Sequence, residues 1–422
     1  MQDSHYQINR PLCLLTAVYL LWLLAVLLIF GHTPTNDGVG YRELAEYCLE
    51  QHQPYPTTAI YQQSPFVWNI GIINITELSL WLTGSIWPVL IVMCLLKSVT
   101  ALMTGLITRH FFGQRIAVVA MLLFMLYPNN WGQSTMISSE IPSTCLTMTA
   151  VWLAIVRQQF FPAGLLLALA NWFRPTAAVF FVTIVIYLML FQRERLFRNI
   201  GKLIAGTALF IVVVGTSCYL RTGHFVYQSR SYWFSMVDEC YDGAEVAPHW
   251  GQPVWPEGTP RYIENHEQMD CFDFERIWRQ RSIQWLKEHP ADYLGKIPGR
   301  LYYMYQSDYD NMTAFLSDKS RPENNCITIP FRRLGTAVST LTVAQWLALV
   351  CLLCYAALLV AACIATVRLI RKRQFESLFF PLFIIVGGSL LLVTVMHGET
   401  RFKDPFMPFF FILAANLKPA TT

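Results

Sequence analysis

The sequence predicts an all-α polytopic membrane protein of about ten transmembrane helices with a small mixed domain outside the bilayer. Three observations lead there. Of 422 residues, 54% are hydrophobic and 14% charged, with a mean hydropathy of +0.39, whereas soluble domains carry roughly 25% charged residues. Apolar runs of membrane-crossing length recur along the chain. The basic residues of the short loops then sort to one side of the bilayer.

In chain order, the expected spans are about 11–31, 88–109, 116–130, 140–156, 161–173, 175–191, 201–220, 339–367, 378–396 and 404–418. The first run is too long for a signal-peptide apolar region and lacks a small-residue cleavage site, so it reads as a span. This pattern places Arg10, Arg109, Arg115, Arg157, Arg193, Arg195, Arg198, Lys202, Arg368, Arg371, Lys372, Arg373 and Lys418 on one face. By the positive-inside rule that face is cytoplasmic, as are both termini. The domain organisation is an N-terminal membrane module (1–220) with a first outer loop (32–87), an outer domain (221–338) and C-terminal membrane helices (339–422). The first loop carries Tyr55, Tyr61, Phe66, Trp68, Trp81 and Trp87, the aromatic pattern of a chain at a membrane interface. In the outer domain, Phe274, Ile277, Trp278, Trp285 and Leu286 mark one helical face that stops at His289-Pro290. The rest is expected to be short helices and loops.

The first polar stretch after a span is Asn36-Asp37-Gly38-Val39-Gly40-Tyr41. Behind it, Tyr41, Leu44, Ala45, Cys48 and Leu49 fall at helical spacing among Arg42, Glu43, Glu46 and Glu50, an amphipathic helix along the membrane surface. Asp37 then stands just before a helix N-terminus, whose dipole favours the carboxylate. Such a group can take a proton from a hydroxyl; equally, Asp and Gly there can simply cap the helix or turn the chain.

Other charged groups share that face. Glu140 opens a span in Ser138-Ser139-Glu140-Ile141-Pro142, where Ser139 as cap and an acid in the first turn also suit a helix start. Arg174 interrupts an apolar run in Asn171-Trp172-Phe173-Arg174-Pro175, which is costly unless it is paired, meets an anionic headgroup or snorkels. The last outer loop reads His397-Gly398-Glu399-Thr400-Arg401-Phe402-Lys403-Asp404-Pro405. Carboxylates beside cations at one interface suit a reaction between a polar acceptor and an anionic lipid. Arg and Lys would hold a phosphate as it leaves, and an acid would activate the acceptor. Cys240 and Cys271 are candidates for a disulfide, while the cysteines inside spans read as small buried hydrophobes. No ligand spacing supports a zinc site. No basic stretch interleaved with aromatics points to nucleic acid, and the absence of internal repeats argues against a duplicated transporter.

These segments together resemble the GT-C membrane glycosyltransferases, especially the branch of protein O-mannosyltransferases and the lipid A aminoarabinose transferase. The similarity runs through Asn36-Asp37-Gly38-Val39-Gly40-Tyr41, Ser139-Glu140-Ile141-Pro142, Asn171-Trp172-Phe173-Arg174-Pro175 and Trp285-Leu286-Lys287-Glu288-His289-Pro290 with Tyr293 and Arg300. Most specific is Glu399-Thr400-Arg401-Phe402 with Pro405 and Pro408, similar to the family's Glu-x-Arg-Tyr and spaced prolines.

The resemblance implies inverting transfer of a sugar from a polyprenyl phosphate to a glycan, lipid or protein acceptor, at the periplasmic face of an inner membrane. Asp37 is the implied general base and Glu140 a second acid near the acceptor. Arg401, Arg174, Lys403 and Glu399 fall at the lipid phosphate and donor, and Tyr41 and Tyr61 on the acceptor side. No cofactor is implied, and the spacing does not support a divalent metal. Two positions depart from the family: Gly38 stands where many members have a second acid, and Phe402 replaces a tyrosine. The competing readings are a lipid or small-solute transporter and a non-catalytic assembly factor with the same fold.

Overall fold

The computed structural model describes residues 9–55, 64–240, 257, 260–317, 341–395 and 398–417. Among these residues the regular structure is entirely helical. Five helices are long and apolar enough to cross a membrane: α1 (Arg10–Phe30), α4 (Trp87–Phe112), α10 (Leu196–Thr222), α16 (Val343–Arg371) and α17 (Phe375–Val395). Their ends follow local chemistry. Asn9 caps α1, which stops at Gly31 with φ 70°. Glycines with positive φ also end α4 at Gly113 and α10 at Gly223, a conformation costly for residues with a Cβ. Thr342 and Gln345 close a reciprocal capping box at the start of α16.

The other five expected spans hold shorter helices. These are α5 (Gln114–Leu126), α7 (Glu140–Val151, continued by a wide turn over Trp152–Val156), α8 (Phe160–Phe173), α9 (Ala177–Phe191) and α18 (Met407–Ala414). At about 1.5 Å per residue most fall short of a hydrocarbon core about 30 Å thick. In α18 every residue is buried. Its apolarity reflects a core packed on all sides by protein, which composition cannot distinguish from contact with lipid. The apolar helix α3 (Ile70–Thr83) lies within the expected first outer loop. It packs against α2 (Asn36–Glu50).

Two cores meet at α18. Tyr19, Phe124, Tyr355 and Phe411 belong to one, and Phe180, Phe380, Phe406 and Phe409 to the other. Helices α8 and α10 approach closely through Gly164 and Gly206. A Cβ on either would lie 2.0 Å from a backbone carbonyl oxygen of the opposite helix.

The described part of the outer segment consists of α11 (Tyr232–Cys240), α12 (Cys271–Glu288), α13 (Pro290–Gly295), α14 (Ile297–Tyr305) and α15 (Asp310–Leu316), with loops between them. The predicted face of α12 is inward: Phe274 and Trp278 are buried with Phe66 and Phe234, and the helix ends at His289. Asp270 caps it, accepting from the N–H groups of Phe272 and Asp273 at 2.9 Å. Cys240 and Cys271 are both free thiols, so the anticipated disulfide is absent. Cys240 meets the carbonyl of Ser282. That residue is three turns along α12 from Cys271, roughly 16 Å by helical rise and far beyond disulfide reach. Tyr293 and Arg300 dock this segment on the membrane helices, donating to the carbonyls of Thr394 at 2.8 Å and Val393 at 3.0 Å.

Candidate active site

The site begins with a join between the first and second outer segments. The Thr33 N–H donates to the Thr135 carbonyl at 2.9 Å, and the Thr135 hydroxyl donates to Thr33 Oγ1 at 2.8 Å. This brings the start of α2 against the loop that leads into α7. Thr35 caps α2, its hydroxyl oxygen accepting the Gly38 N–H at 3.1 Å. Asp37 therefore lies inside the first turn, where the sequence pattern had placed it just before the helix. Tyr41, Leu44, Ala45 and Cys48 form the buried face, and Arg42, Glu43 and Glu50 are exposed.

Asp37 forms an ion pair with Arg401, a residue distant in sequence. The Nε of the same guanidinium donates to Glu399 Oε2 at 2.8 Å. Burial raises the Asp37 pKa above its ordinary value; Arg401 pulls it down, Glu140 and Glu399 push it up, and Arg174 pulls it down. For Arg401, burial disfavours the charge, but Asp37, Glu399 and Glu140 hold it protonated well above its usual range. Arg401 rides on a 3-10 segment, Thr400–Phe406. The segment is reached through Gly398, where a Cβ would come 2.1 Å from the Arg300 carbonyl oxygen.

A second pair lies within electrostatic reach of the first. Arg174 Nη1 contacts Glu140 Oε1 at 2.5 Å, with both side chains about nine-tenths buried. Pro175 disfavours helical backbone at Arg174, which is extended (φ −158°, ψ 130°) at the end of α8. Asn171 holds the turn, its side-chain Oδ1 accepting the Ala177 N–H at 3.1 Å. Glu140 also accepts from the hydroxyls of Ser138 at 2.8 Å and Ser139 at 3.3 Å. Ser139, expected to cap α7 with its side chain, is at the cap position but spends its hydroxyl on the ion pair. Tyr41 links the two halves. Its hydroxyl accepts from Asn69 Nδ2 at 2.7 Å and shares a 3.4 Å hydrogen bond with Ser139.

The folded chain thus gathers Asp37, Tyr41, Glu140, Arg174, Glu399 and Arg401. Lys403 has a different setting. It is fully buried, and its ammonium meets the carbonyls of Ser307 and Thr400 at 2.7 Å and Asp308 Oδ1 at 3.1 Å. Three acceptors match the three donors of a lysine, so this cation anchors the 3-10 segment and has no donor left for a lipid phosphate. Tyr61 lies outside the described residues. Among the described residues no cluster of His, Cys, Asp and Glu is arranged to hold a metal ion.

Both departures from the family pattern have a packing reason. A Cβ at Gly38 would lie 2.9 Å from Thr35 Oγ1 and 3.1 Å from the Ile137 carbonyl oxygen, leaving no room for a second acid. The Phe402 ring lies 5.1 Å beneath the Arg174 guanidinium, a cation–π platform that needs no hydroxyl. Lys97, Gln133 and Asp308 are not among the site residues expected from sequence. The available signal was Lys97, an ionisable residue inside an apolar helix.

The long apolar helices and this buried charged site describe a multi-pass helical membrane protein with a polar centre at one end of its bundle. A family model described as dolichyl-phosphate-mannose-protein mannosyltransferase matches residues 70–219, from α3 to α10. At a coarse level, that similarity supports a membrane glycosyltransferase using a polyprenyl-phosphate sugar donor. No curated protein and no solved structure matches the chain. The matched stretch contains Glu140 and Arg174, whereas Asp37, Glu399 and Arg401 lie outside it and join the site only through folding.

Proposed function

We propose that the protein is an inverting glycosyltransferase of an inner membrane, moving a sugar from a polyprenyl phosphate to a hydroxyl acceptor at the periplasmic face. The likeness would be to the protein O-mannosyltransferases and the lipid A aminoarabinose transferase. One observation carries this reading: Arg401, the candidate phosphate ligand, pairs at once with Asp37, the candidate base, and with Glu399.

A donor phosphate competes with Asp37 for the Arg401 guanidinium. Once the phosphate has taken it, Asp37 remains buried without its nearest cation, and its proton affinity rises further. The acceptor hydroxyl then gives its proton to Asp37. Its oxygen bonds to the anomeric carbon as the carbon–oxygen bond to phosphate breaks. The electron pair leaves with the phosphate, whose charge Arg401 neutralises, with Arg174 adding positive potential. Glu140 and Phe402 hold Arg174 in place; Tyr41, expected on the acceptor side, is fully buried and braces Ser139 beside that pair. A single displacement inverts the anomeric centre and needs no covalent intermediate. The acceptor is a glycan, lipid or protein with a free hydroxyl.

The test is reconstitution in liposomes with a labelled polyprenyl-phosphate sugar and hydroxyl acceptors. Transfer with inverted configuration, read by NMR of the product, supports the proposal. Donor flux across the bilayer without transfer supports a transporter, and neither activity supports an assembly factor.

A further inference from the structure

Lys97 is buried in the middle of α4, among apolar neighbours where an unpaired ammonium is costly. Its ammonium donates to Gln133 Oε1 on α6 (Pro128–Gln133). The amide nitrogen of the same Gln133 donates to Asp404 Oδ2 at 2.6 Å. An amide can accept from a cation through its oxygen while donating to a carboxylate through its nitrogen. One side chain thus ties a charge within a membrane helix to the 3-10 segment that carries Arg401.

That segment needs external support. Runs of 3-10 helix longer than three or four residues are uncommon because their hydrogen bonds are poorly aligned, yet this one extends from Thr400 to Phe406 and includes Pro405. It is held at three points: Thr400 to Asp310, Lys403 to Asp308 and Asp404 to Gln133. The cavity beside Lys97, Gln133 and Asp404 is about 20 Å³, room for about one water molecule and too little for a sugar. The cluster is therefore a packed polar joint and not a substrate pocket.

We propose that Lys97, acting through Gln133 and Asp404, is a positioning residue that holds Arg401 where it meets both Asp37 and the donor phosphate. This rests on reading Arg401 as the phosphate ligand. The full-length protein in detergent is compared as wild type, Lys97→Met and Lys97→Arg. Because Lys97→Met removes one of the two cations, Lys97 and Lys403, that act on the buried Asp404, the double variant Lys97→Met/Asp404→Asn is included. Farnesyl phosphate binding and amide hydrogen exchange across residues 400–406 are measured on each. Lys97→Met and the double variant should bind farnesyl phosphate about tenfold more weakly, with faster exchange across the segment. Lys97→Arg should stay within about threefold of wild type, because it still donates to Gln133. A folded double variant with wild-type affinity or wild-type exchange overturns the positioning role. Wild-type protein that binds no farnesyl phosphate overturns the underlying reading of Arg401, and the inference with it.

Discussion

Replacing Asp37 with Asn separates two effects that a damaged site would merge. The variant removes the proposed base, and general-base contributions are typically 10²–10⁴-fold in rate. At about 1.4 kcal/mol per tenfold, that is roughly 3–5 kcal/mol of barrier. Donor binding should move the other way. In the resting site Asp37 occupies Arg401, so an incoming phosphate must displace it. Hydrogen bonds to charged groups contribute about 1.5–3 kcal/mol net. The Arg401 side chain is 34% exposed, which screens the pair and brings the figure to about 1 kcal/mol. Losing that competition should tighten polyprenyl phosphate binding by about fivefold. The arginine is not orphaned, because Glu399 still holds its Nε at 2.8 Å. The assay pairs turnover in liposomes with isothermal titration of a soluble polyprenyl phosphate. Turnover near wild type removes Asp37 as base, and binding that weakens in step with turnover refutes the competition for Arg401.

Three further outcomes are expected. Arg174→Ala leaves Glu140 buried without its cation, which should cost about 3–5 kcal/mol of stability; a thermal midpoint in detergent shows it, and Glu140→Gln/Arg174→Gln should recover much of the loss. Gly206→Leu must push α8 away from α10 and should cost at least about 1–3 kcal/mol, whereas Gly201→Ala on the same helix meets nothing within 4 Å and should hold or slightly raise the midpoint, by helix propensity. In the pH profile of kcat/KM, the base must be deprotonated, and burial raises the Asp37 pKa. Activity should therefore be lost as pH falls through a value above the ordinary aspartate range of about 4, and a limb at or below that range argues against a raised Asp37.

Much of the site was legible because its residues break local expectation. An arginine before a proline in an apolar run, and acids where the chain leaves a membrane, stand out in one dimension. Their pairing did not. Lys403 and Arg401 are two residues apart in the same loop and share a charge, yet one is closed inside the protein by Asp308 and two carbonyls while the other faces Asp37. Along a 3-10 turn, neighbouring side chains point in different directions, so charge spacing alone cannot sort ligand from anchor. The snorkelling alternative for Arg174 likewise fell to a partner far along the chain, Glu140.

Sequence alone determined what depends on local free energy. The long apolar helices, their glycine stops, the inward face of α12 and the membrane environment all follow from transfer of side chains out of water and from backbone propensity. Tertiary structure decided what depends on distance between remote segments. Thr33 meeting Thr135 sets Asp37 near Glu140, Gly398 lets the chain leading to Arg401 pack against the Arg300 backbone, and the burial of α18 makes a protein core of what reads as a span. The physical reason is that electrostatic coupling and packing act through space, while hydropathy and helix propensity act along the chain.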